Sequence, residues 1–490
     1  MRAKIVAISD AHYAPDGNCK IVQRRGEIAD ILLLRAVHRI NRFIRPDITL
    51  ILGDICDKNT SGEGLERMRG ILNLLKSPWL IIPGNHDGSP ESFYSVFPRP
   101  PETTDLNGIR FAPFLDPEEP GYNARRTGQG LARMRAIRSD WDGKIIMLQH
   151  TPLFPPGRMD CHYNYVNAGE IIAAMRQNGI FLSLSGHYHN GFDLVRDEGM
   201  NFLTSPALCE APFTFLEIEI MDEDIKVKRH DLRLPEKLNL WDMHVHTQFA
   251  YCSENMDVAK NLKLSRDFGL AGLTFMEHSG QLYFDRDTYW KYAFLDGGFA
   301  AIKKENERMD AYLAALSAAG CRPENIGLEA DCSFDGVPFV RPEDRRRVRY
   351  LIGSVHSLPS LRNKPPDTKK VHDEFLAMTG NLARSGIDIL AHPFRTFFRA
   401  KLEVPESLYD AVIGLLRENK LAAEINFHTQ ETDREFVRRC IASGVKLALG
   451  SDAHNLYEIG EFSPHLALLR ECGAEGDLSG ILFTPRTSTV

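Results

Sequence analysis

The chain has 490 residues, a length that excludes one small module and predicts two or three domains, each with its own core. Hydrophobic residues make up 43% of the chain and charged residues 26%, which excludes a globally disordered protein because this much apolar side chain can offset the entropy of ordering. The 59 Lys and Arg against 66 Asp and Glu give a net charge of −7, which excludes a generally basic nucleic-acid binder and leaves only a local basic face open.

The nine cysteines are scattered and include no C-x-x-C pair, which indicates reduced thiols in a cytoplasmic protein. The first apolar run, after MRAK, is too short for the core of a secretory signal. No apolar stretch reaches the roughly 18 residues of a transmembrane helix. We therefore expect a cytoplasmic location and no membrane partner.

Five short apolar runs in the first half predict the buried strands of a layered α/β fold. The runs are KIVAIS, DITLIL, PWLIIP, KIIMLQ and IFLSLS. They lead into the motifs D-A-H, L-G-D-I-C-D, G-N-H-D, Q-H-T-P and G-H-Y-H, which supply Asp10, His12, Asp54, Asn85, His86, His150, His187 and His189. Because open α/β sheets bring the carboxyl ends of their strands to one edge, we expect these side chains to converge there.

This mixture of Asp, Asn and His suits Mn²⁺, Fe²⁺ and Zn²⁺. A two-metal centre also needs a carboxylate that can bridge ions about 3.5–4 Å apart, and Asp54 is the predicted bridge. Taken one at a time, the same residues would be ordinary turn residues, since Asp, Asn and Gly favour turns at strand ends. Five such elements in succession favour the metal centre instead.

The D-x-H, G-D, G-N-H-D, H and G-H-x-H series resembles the calcineurin-like metallophosphoesterase superfamily, over residues 1–233. The resemblance implies one metal held by Asp10, His12, Asp54 and His189, and another held by Asp54, Asn85, His150 and His187. It implies a catalytic His86, which would donate a proton to the leaving oxygen or stabilise charge in the transition state. The spacing of Asp54 and Asp57, with Q-H-T-P, is most similar to the branch that cleaves cyclic nucleotides and small phosphodiesters.

Two stretches between the motifs are candidates for substrate contact. The residues between Gly88 and Gly143 would either cover the metal centre as a specificity cap or form a solvated surface insertion. The segment PPGRMDCHYNYVNAG offers Arg158, His162, Tyr163 and Asn164 near His150, and these would suit contacts with phosphate or base if the segment lines the cleft. The alternative is a solvated loop, which is the commoner fate of loop polar residues.

The polar segment LPEKLN predicts a linker, with a boundary at 234–238 and a second domain over 239–490. Seven strand-like runs follow it: LNLWDMHVH, LAGLTFMEH, NIGLEADC, RYLIGSVHS, IDILAHP, LAAEINFH and VKLALGSDAH. Amphipathic stretches such as AIKKENERMDAYLAALSAAG, with a Gly stop, predict helices between most of them. Seven strand-to-helix units predict an α/β fold of the distorted (β/α)7, TIM-like kind, a parallel barrel that lacks one unit.

The strands of the second half also end in potential ligands, at the face where barrel enzymes place their chemistry. The motifs D-x-H-x-H, E-H, G-x-E, G-S-x-H, H-P and G-S-D-A-H resemble the PHP (polymerase and histidinol phosphatase) domain, from about residue 239 to the C-terminus. The resemblance implies a barrel with three divalent metals and the ligands His244, His246, His278, Glu329, His356, His392, Asp452 and His454. Glu329 would bridge, and Asp242 would orient a ligand histidine.

Cys252 departs from the family pattern, because the position six residues after His246 is often another histidine. A thiolate binds Zn²⁺ but suits Mn²⁺ or Mg²⁺ poorly. Either Cys252 biases its site towards zinc or iron, or it is a core cysteine and one metal is lost or loosely held. The predicted cofactors are two Mn, Fe or Zn ions in the first domain and two or three Zn, Fe or Mn ions in the second.

Arg395 and Arg399, in HPFRTFFRAK, are predicted to lie over the barrel mouth. A guanidinium group there could bind a phosphate through two parallel N–H groups. The alternative is a solvated surface pair that packs on Phe397 and Phe398.

Both halves keep a metal set suited to the hydrolysis of phosphate esters, and the two sites, with His86, account for 11 of the 17 histidines. We therefore expect a bifunctional metal-dependent phosphohydrolase that opens phosphodiesters or cyclic phosphates at the N-terminal site and acts on monoesters or diesters at the PHP site. Its specific version is a two-step relay on a small phosphoester or nucleotide. One alternative is a nuclease or nucleic-acid end-processing enzyme, which would need local basic patches. The other is a chain in which one domain binds a nucleotide or partner without turnover.

Overall fold

The computed structural model describes residues 2–17, 19, 21–58, 61–222, 224–292, 294–297, 308–363, 365–429 and 432–485. The chain divides into two compact units, residues 1–233 and 234–490. Within the described ranges, none of the helices has the length and apolar character needed to cross a membrane.

The first unit consists of two β-sheets flanked by helices. Its strands are β1 (Arg2–Ile8), β2 (Ile48–Ile51), β3 (Trp79–Ile81), β4 (Thr104–Leu106), β5 (Ile109–Pro113), β6 (Glu118–Glu119), β7 (Asn123–Ala124), β8 (Lys144–Leu148), β9 (Leu182–Ser185), β10 (Phe192–Asp197), β11 (Met200–Thr204), β12 (Thr214–Met221) and β13 (Asp224–Asp231). Its helices are α1 (Ala29–Arg39), α2 (Gly62–Leu72), α3 (Pro90–Val96), α4 (Gly128–Ala136) and α5 (Ala168–Gln177). Ser61, Ser89 and Thr127 cap α2, α3 and α4, each accepting a hydrogen bond from the backbone N–H three residues on.

The two sheets pack against each other around a shared apolar core. The first has the order β13-β12-β1-β2-β3 and the second the order β10-β11-β9-β8-β5-β4. Ile5 and Leu50 of the first sheet belong to one buried cluster with Ile146 and Leu184 of the second. The five predicted runs form β1, β2, β3, β8 and β9. Strands β1, β2 and β3 pair in parallel in the first sheet, and β8 and β9 pair in parallel in the second. The expected layered α/β fold is confirmed.

The stretch between Gly88 and Gly143 is neither a simple cap nor a surface insertion. It supplies β5, which pairs with β8 in the second sheet and buries Phe111 in the shared core. Both readings of the sequence were therefore wrong for this part of the stretch, because the run IRFAP is a buried strand. Residues before β5, such as Pro90, and after it, such as Phe114 and Leu115, line a cavity at the edge where the metal motifs end.

The second unit is a parallel barrel. Its strands are β14 (Trp241–Val245), β15 (Gly272–His278), β16 (Ile326–Asp331), β17 (Tyr350–Ser354), β18 (Ile389–Leu390), β19 (Ala422–Asn426) and β20 (Leu447–Gly450). Its helices are α6 (Val258–Asp267), α7 (Ser279–Tyr283), α8 (Arg286–Trp290), α9 (Phe294–Gly297), α10 (Arg308–Ala318), α11 (Pro342–Arg345), α12 (Thr368–Ala383), α13 (Arg395–Ala400), α14 (Glu406–Asn419), α15 (Arg434–Ala442) and α16 (Ser463–Glu471).

The seven strands of the barrel pair in chain order and all run parallel. A single parallel bridge between Val245 and Ala453 joins the ends of the first and last strands, so the sheet curls into a nearly closed barrel. The predicted helix AIKKENERMDAYLAALSAAG appears as α10 and stops before Gly320, whose φ is +73°; residues 301–307 of that prediction lie outside the described residues. The expected TIM-like architecture is confirmed.

Candidate metal centres

The predicted ligands of the first unit lie in the turns that follow its strands. Asp10 and His12 follow β1, Asp54 follows β2, Asn85 follows β3, His150 follows β8, and His187 and His189 follow β9. Asp10, His12, Asp54 and His187 have φ angles of +53°, +45°, +51° and +68°, a left-handed conformation that is uncommon outside glycine. Backbone bonds between turns hold this strain, including one of 2.9 Å from His12 N–H to Asp54 O.

One group of four side chains gathers around His12. Nε2 of His12 lies 3.2 Å from Nε2 of His189. Both nitrogens face Oδ1 of Asp10, at 3.7 and 3.6 Å. Oδ2 of Asp54 lies 3.6 Å from Nε2 of His12. These atoms are the four that the resemblance assigns to one metal.

The second group gathers around His150. Nε2 of His150 lies 3.2 Å from Oδ1 of Asn85 and 3.2 Å from Nδ1 of His187. The same nitrogen is 3.3 Å from Oδ2 of Asp54. One oxygen of Asp54 therefore belongs to both groups, which is where a bridging carboxylate has to lie.

Contacts on the far side of three imidazole rings fix which nitrogen faces these groups. Nδ1 of His150 donates to Leu52 O at 2.7 Å, and Nε2 of His187 donates to Tyr122 O at 3.0 Å, since a carbonyl can only accept. Nδ1 of His189 lies 2.6 Å from the carboxylate of Glu210. In its neutral form, each ring would therefore turn a lone pair toward the cluster, the arrangement typical of metal-binding histidines.

The buried carboxylates and imidazoles of this cluster form an environment that favours a bound cation. Oδ1 of Asp10 is buried and has no hydrogen-bond partner among the described residues. Burial opposes the charge of Asp54, but His150 and His12 outweigh it and hold the pKa of Asp54 well below its usual range. Burial lowers the pKa of His187 to about 4, which keeps that ring neutral. Carboxylates and neutral imidazoles that face one point suit a divalent metal.

His86 lies beside the cluster without joining either group of ligands. Its backbone N–H donates to Oδ1 of Asp54 at 2.7 Å, and its Nδ1 lies 2.6 Å from Oδ1 of Asp57. Its ring packs edge-on against His12, with centroids 4.6 Å apart. Burial lowers the pKa of His86.

Two glycines allow the turns that carry the ligands to pack closely against one another. An added Cβ at Gly84 would lie 2.2 Å from Oδ1 of Asp54 and 2.6 Å from its backbone N. At Gly186 it would lie 1.8 Å from Oγ of Ser9. Both sites need glycine because the neighbouring turn approaches too closely for a side chain.

Two cavities open onto this cluster. One, of about 600 Å³, is lined by Asp54, Asn85, His86, His187 and His189, and by residues outside the ligand set that include Arg24, Lys58, Tyr122, His162, Tyr163, Tyr188 and Glu210. The other, of about 430 Å³, is lined by Asn85, His150 and His187 together with Phe114, Leu115, Pro117, Glu118 and Tyr165. His162 thus lies in the cleft; its contact with substrate stays a prediction.

In the barrel, one group of ligands forms where β14 and β20 end. Nε2 of His244 and Nε2 of His246 are 3.1 Å apart. Oδ1 of Asp452 lies 3.0 Å from Nε2 of His246 and 3.5 Å from Nε2 of His244. Oε2 of Glu329 is 3.5 Å from Nε2 of His244. All four residues are buried.

The other oxygen of Glu329 faces a second group. Oε1 lies 3.2 Å from Nε2 of His356 and 2.8 Å from Nε2 of His392. Nδ1 of His278 approaches Oε2 at 2.5 Å. Glu329 therefore reaches both groups, as expected of the predicted bridge.

The histidines of the barrel are oriented by carboxylates from other strands. Nδ1 of His244 lies 2.8 Å from Oε1 of Glu424, Nδ1 of His246 lies 3.2 Å from Oε1 of Glu277, and Nδ1 of His356 lies 2.8 Å from Oδ1 of Asp331. Each of these contacts leaves Nε2 of the ring free to face the ligand group.

The role expected for Asp242 was wrong. Its carboxylate accepts backbone N–H groups of Ser451, Gly460 and His244, at 3.0, 2.9 and 3.3 Å. The imidazole of His244 meets Glu424 instead. Asp242 therefore fastens β14 to the segment after β20 and does not orient a ring.

Cys252 lies next to the ligand histidines. Its Sγ is 3.8 Å from Nε2 of His278 and 3.6 Å from Nε2 of Gln281. Ring nitrogens of His246, His278 and His454 lie within 4.8 Å of one another. Burial raises the pKa of the Cys252 thiol to about 12. The sulfur is therefore close enough to His278 for a metal to link them, and its ligand role stays a prediction.

The two arginines expected at the barrel mouth differ in their surroundings. Arg395 is buried, and its Nη2 donates to Oδ2 of Asp452 at 2.6 Å and to Oδ1 of Asn426 at 2.8 Å. The surface-pair alternative is therefore wrong for Arg395. Arg399 is exposed on α13. Substrate contacts of both residues stay predictions.

The residues that the sequence did not single out are mainly the partners behind the ligands. Glu210, Tyr122 and Asp331 are examples, and Arg24 lines the larger cavity without belonging to a motif. A usable signal existed for Glu210 and Asp331, since each is a carboxylate at or shortly after the carboxyl end of a strand. Nothing in the sequence marks the carbonyl of Tyr122.

Each of the two units matches the model of a known protein family. Residues 3–191 match the family model of the calcineurin-like phosphoesterases, and residues 242–428 match that of the PHP domain. A probable phosphatase of Acetivibrio thermocellus is 29% identical over 153 residues, which are 30% of this chain and 58% of that protein. A probable cyclic nucleotide phosphodiesterase of Fibrobacter succinogenes is 26% identical over 215 residues, 41% of this chain and 78% of that protein.

Among solved structures, a dimetal phosphatase from Danio rerio aligns with 47% of this chain and 96% of its own chain, at 17% identity and a TM-score of 0.40. The chain spans little more than half the length of the Acetivibrio relative.

Proposed function

We propose that the chain, whose two units match the family models of the calcineurin-like phosphoesterases and of the PHP domain, is a metal-dependent hydrolase of phosphoric esters with an active centre in each unit. The N-terminal centre opens phosphodiesters or cyclic phosphates, and the barrel removes phosphate from the resulting monoester. The observation that carries the proposal is that each unit keeps a buried carboxylate, Asp54 or Glu329, within reach of two groups of ligands.

The cavities of the first unit support a diester substrate. A phosphate at the N-terminal cluster would have space on two sides, because cavities of about 600 and 430 Å³ both reach Asn85 and His187. A diester carries one substituent on each side of its phosphorus, whereas a monoester carries one. These volumes fall in the range of small-molecule sites, roughly 300–1,000 Å³.

The lining of the larger cavity favours a nucleotide-like substituent. Tyr122, Tyr163, Tyr188 and His162 line it, and the rings of His162 and Tyr163 have centroids 4.0 Å apart. Aromatic faces stack on nucleobases, a contact worth about 1–3 kcal/mol per base. The relatives named as a phosphodiesterase and a phosphatase support the two halves of the activity.

The ligand residues fit divalent metals: Asp10, His12, Asp54 and His189, with Asn85, His150 and His187, would hold two in the first unit, and the barrel ligands with Cys252 would hold two or three. Bound divalent ions activate water and neutralise charge on phosphoryl oxygens. His86 borders the larger cavity, and Asp57 holds its Nδ1 so that Nε2 points away from that carboxylate. A protonated His86 would donate from Nε2 to a leaving oxygen.

The test uses two isosteric variants in the full chain, Asp54→Asn and Glu329→Gln, with one small diester and its monoester product as substrates. We expect the wild type to release inorganic phosphate from the diester, Glu329→Gln to accumulate the monoester, and Asp54→Asn to hydrolyse only added monoester. Phosphate release from the diester by Glu329→Gln would contradict the division of labour. Cleavage of an oligonucleotide in preference to the small diester would favour the nuclease alternative.

A further inference from the structure

Arg24 lies in the loop between β1 and α1, outside every motif that supplies a ligand. It lines the larger cavity together with Asp54, His86 and His189. Its Nη1 lies 3.5 Å from Nδ1 of His12. The guanidinium group is therefore at the His12 side of the N-terminal cluster.

The backbone beside Arg24 is fixed against the cluster. The N–H of Arg25 donates to Cys209 O at 2.8 Å, and the N–H of Ala14 donates to Gly26 O at 3.1 Å. An added Cβ at Gly26 would lie 2.5 Å from the carbonyl oxygen of His12, so only glycine allows this approach. The loop therefore presents Arg24 in a set position, as a binding group requires.

The contact between Arg24 and His12 leaves N–H donors of the guanidinium group available to a ligand. His12 turns Nε2 toward His189 and Asp54, so a metal at that nitrogen leaves the hydrogen of the neutral ring on Nδ1. Nδ1 then cannot accept from Arg24. In addition, Nε of Arg24 is buried and has no hydrogen-bond partner among the residues that the structure describes. A buried donor without an acceptor is costly, and an anionic ligand would remove that cost.

The positive charge of Arg24 lies on the side of the cluster formed by His12 and His189, where its Nη1 meets Nδ1 of His12.

We propose that Arg24 is a phosphate-binding catalytic residue, whose parallel N–H groups hold two non-bridging phosphoryl oxygens on the His12 side of the cluster. A guanidinium group matches a pair of phosphate oxygens in geometry and stays charged at all working pH values. The inference rests on the proposed function of the N-terminal centre and adds the residue that recognises the phosphoryl group.

The test uses full-length protein carrying Glu329→Gln, so that the barrel is silent, and compares Arg24→Ala, Arg24→Lys and Arg25→Ala in that background. Arg25 is the matched control because its side chain pairs with Glu27 at 2.9 Å. The probes are bis(p-nitrophenyl) phosphate for turnover and inorganic phosphate for inhibition, with metal content measured for every variant.

We expect Arg24→Ala to lower kcat/KM by about 10²–10³-fold, to raise the inhibition constant of phosphate at least about tenfold, and to leave the metal content unchanged. Arg24→Lys should recover part of this loss, since it keeps the charge but not the paired N–H groups. Arg25→Ala should resemble the background.

Unchanged turnover and phosphate inhibition in Arg24→Ala would overturn the inference, and so would a loss of metal that matches the loss of activity. A chain that hydrolyses no diester but binds phosphate, measured by calorimetry, less tightly after Arg24→Ala would overturn the proposed function and leave the role of Arg24 supported.

Discussion

The Glu210→Gln substitution should weaken metal binding in the N-terminal centre without altering any ligand. Oε1 of Glu210 lies 2.6 Å from Nδ1 of His189, and Nε2 of that ring faces the metal group. Gln keeps an oxygen that can accept the same hydrogen bond, but it removes the negative charge that makes the imidazole a stronger ligand.

The expected magnitude follows from this geometry. Loss of such an oriented partner costs about 10–100-fold in metal affinity, equivalent to about 1.4–2.8 kcal/mol. The side chain of Glu210 is 25% exposed, so solvent screens part of its charge and places the expected loss in the lower half of that range.

The assay is a titration of metal-free protein with Zn²⁺ or Mn²⁺ against a competing chelator, followed by diester hydrolysis at each metal concentration. Activity of Glu210→Gln should return to near wild type at saturating metal. Glu63→Gln, on the exposed first turn of α2, is the control and should behave as wild type. Equal metal affinity in Glu210→Gln and wild type, or an activity loss that excess metal does not restore, would refute the reasoning.

Substitutions at three further positions test other parts of the structure. His86→Ala should lower turnover of the N-terminal centre by about 10²–10⁴-fold at unchanged metal content, and a parallel loss of metal would show that His86 is a ligand. Cys252→His should raise activity with Mn²⁺ relative to Zn²⁺, and Cys252→Ser should lower the metal occupancy of one barrel site. Unchanged metal content and metal preference in both variants would show that Cys252 is a core residue. Gly84→Ala should abolish metal binding in the N-terminal centre because the added methyl group would lie 2.2 Å from Oδ1 of Asp54. Gly70→Ala is the control and should keep its metal, since nothing lies within 4 Å of the added Cβ. Full metal content in Gly84→Ala would show that the turn can move to accept the methyl group.

The strands and the residues that follow them could be read from the sequence because each strand is a continuous apolar run that ends in polar residues. Asp54 illustrates this, since the run DITLIL forms β2 and leads directly to it. Because parallel strands run in one direction, the residues that follow them converge at one edge of the sheet, independently of the loop conformations. Glu329 could be placed in the same way, in the carboxyl half of β16.

The partner residues lie behind the ligands, and which ligand each of them contacts could not be read in this way, because the pairing depends on which strands become neighbours in space. Glu210 is 21 residues from His189, and Glu424 is 180 residues from His244. The error over Asp242 has the same origin: its sequence distance to His244 is two residues, but the backbone amides of Ser451 and Gly460 come closer to its carboxylate than the ring does. Arg24 was missed because loop conformation, not periodicity, brings it to the cavity.

If one chain holds two separate metal centres, each centre should contribute its own share of the metal bound per chain. Elemental analysis of wild type, Asp54→Asn and Glu329→Gln, each saturated with Zn²⁺ or Mn²⁺ and freed of excess ion, would count the tightly bound metal. We predict that each variant loses about two equivalents from its own unit, that the double variant loses the sum, and that the metal remaining in each single variant supports the activity assigned to the other unit. Full metal content in either variant, or loss of all metal in one of them, would contradict the account.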